Sequence, residues 1–132
     1  MATKHLMLSD LHFSHKLWQK EMSFYLDELN IYQGYLEEVS QRWTDKNILS
    51  ELEHFQNQFI IQKEQAEILS HDINETQESL GRFAKNNQTA IDHKNFDSSA
   101  EMHQKMADRV ETYKKIYSEL KAHFKVFLSK YM

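Results

Sequence analysis

Apolar residues recur along most of this chain in alternating steps of four and three. One run selects Leu11, His15, Trp18, Met22, Tyr25, Leu29, Tyr32, Leu36, Val39 and Trp43. A second selects Leu52, Phe55, Phe59, Gln62, Ala66, Leu69, Ile73, Thr76, Leu80 and Phe83. A third selects His103, Met106, Val110, Tyr113, Tyr117, Leu120, Phe124, Phe127 and Tyr131. Of these 29 positions 25 are apolar or aromatic, about twice what the overall hydrophobic content of 40% supplies. A period of 3.5 residues sustained this far is that of long amphipathic helices joined along a seam.

The breaks between runs locate the turns. The step from Trp43 to Ile48 is five residues, and Thr44, Asp45, Lys46 and Asn47 fill it with cap-forming types. Gln88 to Asp97 shows no sustained period. Asn86 and Asn87 suit a left-handed helix end, and Ser98 with Glu101 reads as a capping box opening a third helix. Ser9 or Asp10 is the expected first cap. The pattern predicts helices over about 10–43, 46–86 and 98–131. Short connections make neighbours antiparallel. The expected fold is all-α: one up-down-up three-helix bundle over residues 1–132, with coiled-coil-like helices able to dimerise into a larger bundle.

Composition then removes function classes. The chain has no proline, no cysteine and two glycines, so thiol catalysis, disulfide frameworks and cysteine metal sites are excluded. Gly34 and Gly81 are too far apart for a phosphate-cradling loop. Sandwiches and barrels need turn residues that are missing. Gly81 falls near a helix end, whereas Gly34 lies on the outward side of the first helix, where it costs about 1 kcal/mol relative to Ala. A tolerated surface glycine and the close approach of a partner both account for it.

No apolar run approaches a membrane span, and Leu6-Met7-Leu8 is short for a secretory signal core. A cytoplasmic protein is expected.

Charge distinguishes the helices. Residues 9–43 carry a net −3, residues 45–83 a net −5 and residues 97–132 a net +2. The third helix is therefore the cationic partner of two acidic ones. Its Lys114, Lys115, Lys121, Lys125 and Lys130 interleave with aromatics in a way that invites a nucleic-acid reading. Those aromatics are the seam itself, however, and a net charge of −4 repels a polyanion. Neither nucleic acid nor a membrane surface is an expected partner.

Beyond the seam runs a further apolar stripe. Leu17, Phe24, Ile31 and Tyr35 mark the first helix, and Ile61 and Ile68 the second. In an antiparallel hairpin these fall on one side and form a composite patch, wider than one docked helix covers. A homodimer or another helical protein is the expected partner, with two-fold symmetry the commonest closed solution.

The eight histidines raise a metal alternative. Up-down-up folding gathers His12, His15, His71, His93 and His103 towards one end of the bundle, with Asp72, Glu75, Glu78 and Glu101 nearby. His12, His15, His71 and His103 are the candidate ligands. Against this, no seam position is acidic, and the one Glu-x-x-His pair, Glu51 and His54, lies off the seam. Gln62 and Thr76 interrupt the seam as register-setting polar residues. No turn exposes a nucleophile beside a base. The expectation is a non-enzyme with no cofactor, working through protein–protein contact or self-association; a histidine-based metal-binding bundle is the competing class.

Overall fold

The computed structural model describes the backbone of residues 2–86 and 93–132 and the side chains of residues 11–79 and 100–132. It consists of α1 (Ala2–Arg42), α2 (Lys46–Asn86) and α3 (His93–Tyr131), and no strand occurs among the described residues. At 1.5 Å per residue, helices of 41, 41 and 39 residues are each about 60 Å long.

Cross-helix contacts establish the topology. Gln19 in the first half of α1 bonds Ser70 in the second half of α2, and Asp72 in the second half of α2 pairs with Arg109 in the first half of α3. On the parallel pair, Glu21 meets Lys114, Glu28 meets Lys121, and Trp43 meets Tyr131. The bundle is therefore up-down-up, as the short connections require.

Most of the seam residues whose side chains are described form the core, Trp43 being exposed at the end of α1. Met22, Leu29, Val39, Ala66, Ile73, Val110 and Phe124 are fully enclosed, and interlocking rings fill the middle. Phe124 lies against Phe59 at 4.8 Å, Tyr32 at 5.0 Å and Phe55 at 5.4 Å, in the tilted and edge-on arrangements that ring quadrupoles favour. Gln62 is buried with its Oε1 unpartnered, while its backbone carbonyl accepts from the Tyr113 hydroxyl at 3.1 Å. Thr76 returns its hydroxyl to the Asp72 carbonyl, one turn back.

The first turn is built as its sequence indicates. Asp45 caps α2, its Oδ1 accepting from the backbone N–H groups of Asn47 and Ile48 at 2.8 and 3.2 Å. Across the same end, the Arg42 and Trp43 side chains donate to the carbonyls of Met132 and Tyr131 at 2.8 and 2.7 Å. They satisfy groups that the end of α3 leaves without helical partners.

Two boundaries differ from the pattern. α1 begins at Ala2 rather than near residue 10, so Ser9 and Asp10 lie inside it. α3 begins at His93, which places Ser98 within the helix rather than at its cap. Continuing an existing helix needs only one hydrogen bond per residue and no apolar face, so a helix can outrun the seam that predicts it. Asn87 lies outside the described residues.

Candidate functional site: an uncovered stripe and a histidine pair

α3 docks in the groove between α1 and α2. On α1 it lies over Trp18, Tyr25 and Tyr32, through rings stacked or tilted against His103, Tyr117 and Phe124. Leu17, Phe24 and Ile31 each directly precede one of these residues, and Ile61 and Ile68 directly precede Gln62 and Leu69. One residue is 100° of helix rotation, enough to carry each side chain past α3. All six patch residues, Tyr35 included, remain between 36% and 55% exposed. α3 stands between the α1 and α2 halves of the patch, with Lys114 and Lys121 paired to Glu21 and Glu28 of α1 and Arg109 paired to Asp72 of α2. Ile116 of α3 is also exposed.

The α1 half holds a residue that the seam periodicity does not select. Phe13 is 70% exposed and precedes Leu17 by one helical turn. Its signal was a bulky ring at a position with no assigned seam partner.

The flank of this stripe next to α3 is acidic and neutralised within the chain. Lys114 Nζ lies 3.4 Å from Glu21, and Lys121 Nζ 3.0 Å from Glu28. Glu28 also accepts from the Tyr117 hydroxyl at 2.6 Å. Burial alone raises a carboxyl pKa, but the hydrogen bonds from Tyr117 and Lys121 prevail and hold Glu28 below the usual range. Burial and the same carboxylate push the Tyr32 hydroxyl up to about 12. The cationic third helix thus finds its acidic partners as the segment charges require.

At the other end of the bundle, His15 and His103 come together. Their ring centroids are 5.7 Å apart, and Trp18 stacks on His103 at 5.1 Å. His15 is 0% exposed. Among the described residues, neither of its ring nitrogens, nor Nδ1 of His103, has a hydrogen-bond partner. Burial first, then repulsion from His103 and His12, brings the His15 pKa down to about 4; burial lowers His103 as well.

The other candidate ligands do not join this pair. His12 Nδ1 is shared with Gln77 Nε2 at 3.3 Å. His71 is exposed and turned towards Asp72 and Glu75 at 3.5 and 3.6 Å. Those three groups have ligand atoms within 4.8 Å of one another, but Asp72 is already engaged by Arg109 at 2.8 Å. The side chain of His93 lies outside the described residues.

An open groove of about 340 Å³ follows, between Asp72 and Glu75 of α2 and Met102, Lys105 and Arg109 of α3. Among the described residues, no helix is long and apolar enough to cross a membrane. No family model matches this chain, and comparison with curated proteins and with solved structures likewise finds no match.

Proposed function

We propose that this chain is a non-enzymatic interaction protein of the cytoplasm, which presents the outer face of α1 to a second helical surface, by self-association or on another helical protein. The supporting observation is the uncovered stripe of Phe13, Leu17, Phe24, Ile31 and Tyr35. Single exposed apolar residues are ordinary, but five aligned on one helix face over about six turns form the kind of contiguous patch that marks an interface. The seam beneath is filled with packed rings, as a scaffold for such a face requires.

Photo-crosslinking tests this reading. A photoreactive phenylalanine analogue at position 24 is expected to give a discrete adduct in cells, and the same group at Lys115, exposed on α3, is not. Absence of an adduct from positions 17, 24 and 31 alike overturns the proposal.

One observation favours a second reading, a histidine-based metal-binding bundle: three ring nitrogens of His15 and His103 have no hydrogen-bond partner among the described residues. Imidazole nitrogens suit several transition metals. Stoichiometric metal in untagged protein, lost on His15→Ala and His103→Ala substitution, would establish it in place of the first.

A further inference from the structure

The apolar stripe on α1 reads the same in both directions. Its five residues stand at −11, −7, 0, +7 and +11 from Phe24: Phe13, Leu17, Phe24, Ile31 and Tyr35. Seven and eleven residues are each within 20° of whole helical turns, so all five share one narrow sector of the helix surface. All are exposed on the finished bundle.

From this symmetry we infer that the occupant of the stripe is a second copy of the chain, packed antiparallel about a two-fold axis through Phe24. The inference rests on the reading of the α1 face as an interaction surface and names its partner. An isologous antiparallel contact brings residue i opposite residue 48 − i. Phe24 then meets itself on the axis, Leu17 meets Ile31, and Phe13 meets Tyr35. No bulky apolar residue of the stripe is left facing a charge.

The flanks agree with this arrangement. In an antiparallel two-fold pair each flank meets its own copy. The flank away from α3 carries Lys20 and Asp27, both exposed and neither ion-paired among the described residues. They stand at −4 and +3 from the axis, so Lys20 lies within one residue of level with Asp27 of the partner subunit, on the same flank, and the pair occurs twice. The other flank carries Glu21 and Glu28, which would repel their copies if bare. Lys114 and Lys121 already neutralise them.

Gly34 finds a use here. A Cβ added to it meets nothing within 4 Å, so the fold of one chain has no need of glycine. Across the axis it lies beside Phe13, the most exposed ring of the stripe, and its missing side chain leaves room for that ring. The area also suffices. Aromatic side chains bury about 150–250 Å² each, and the exposed fractions leave on the order of 500 Å² of side-chain surface per protomer. Pairing removes on the order of 1,000 Å² before the flanks are counted, the threshold for a specific interface.

Charge reversal tests the geometry. Sedimentation velocity from 1 to 500 μM is expected to show a reversible dimer, and Phe24→Glu, which places two carboxylates on the axis, weakens it at least tenfold with helicity unchanged. Lys20→Asp and Asp27→Lys should each weaken self-association, because each creates two like-charged pairs. Mixed together, these two variants should pair with each other, and the double variant should recover the dimer. A dimer indifferent to all three substitutions overturns the assignment, as does a protein that stays monomeric throughout the concentration range. A monomer that still crosslinks through position 24 to a different protein overturns the second-copy partner alone. Loss of every crosslink overturns the interaction reading beneath it.

Discussion

The rings of His15 and His103 lie 5.7 Å apart and share no hydrogen bond. Burial of the His15 ring, with repulsion from His103 added to it, makes stability depend on pH. In the unfolded chain His15 protonates near its ordinary value of 6.5, whereas in the bundle it does so only at about 4. Between those values the unfolded state binds more protons, so the contribution is complete above about pH 6.5 and is lost as the pH falls towards 4. At about 1.4 kcal/mol per pH unit, the loss attributable to His15 is about 3 kcal/mol; His103, lowered in the same direction, adds to it. Urea unfolding at pH 7, 6, 5 and 4 measures the slope, and a flat profile over this range contradicts the burial of a neutral ring.

His15→Leu separates this effect from general acid destabilisation. Leucine resembles histidine in volume and carries no nitrogens to leave without partners in the core. The variant is expected to be more stable than the parent at pH 7 by about 1–3 kcal/mol and to show a shallower pH dependence between 6.5 and 4. A less stable variant would mean that the ring nitrogens have a partner in solution, such as a metal ion or an ordered water.

Both histidines occupy seam positions, and the up-down-up topology places them at the same end, so their meeting was legible in the sequence. The Asp45 cap and the pairing of cationic α3 with acidic α1 and α2 were legible for similar reasons, since each depends on residue type at a known register. The start of α3 was not. Ser98 and Glu101 form a capping box by type, but the backbone was already helical from His93, and a local motif does not reveal an upstream helix. Nor was the division of the apolar patch, because seam periodicity identifies the buried face of each helix without stating which groove the third helix fills.

Glu28 gathers Tyr117 at 2.6 Å and Lys121 at 3.0 Å on a single carboxylate. Tyr117→Phe removes a hydrogen bond to a charged acceptor and is expected to cost about 1.5–3 kcal/mol. Lys121→Met is expected to cost less, since the lysine is only partly buried and its pair remains screened by solvent. Because the two donors bond the two oxygens of one carboxylate, their effects should not add, and a double-mutant cycle by chemical denaturation reads the coupling directly. Strict additivity would show that the donors act independently.

Asp45 provides the side-chain cap of α2 in the turn after α1. Asp45→Ala leaves the N–H groups of Asn47 and Ile48 to water and is expected to cost about 1 kcal/mol, whereas Asp45→Ser retains most of the stability. Thermal unfolding of the two variants distinguishes a cap from a general surface charge effect. Equal losses would point to charge.

Gly34→Ala separates the fold from the assembly. Within one chain the new methyl group enters open space, and alanine is the better helix former by about 1 kcal/mol. The substitution should therefore raise the denaturation midpoint in dilute solution, where chains are separate. At high concentration it should act the other way, since the methyl group fills the space that Phe13 of the partner subunit takes. Unfolding at low concentration and sedimentation at high concentration then give effects of opposite sign. A substitution that stabilises the chain and leaves association untouched would place Gly34 outside the interface, and with it the close approach of the two α1 helices at that end of the stripe.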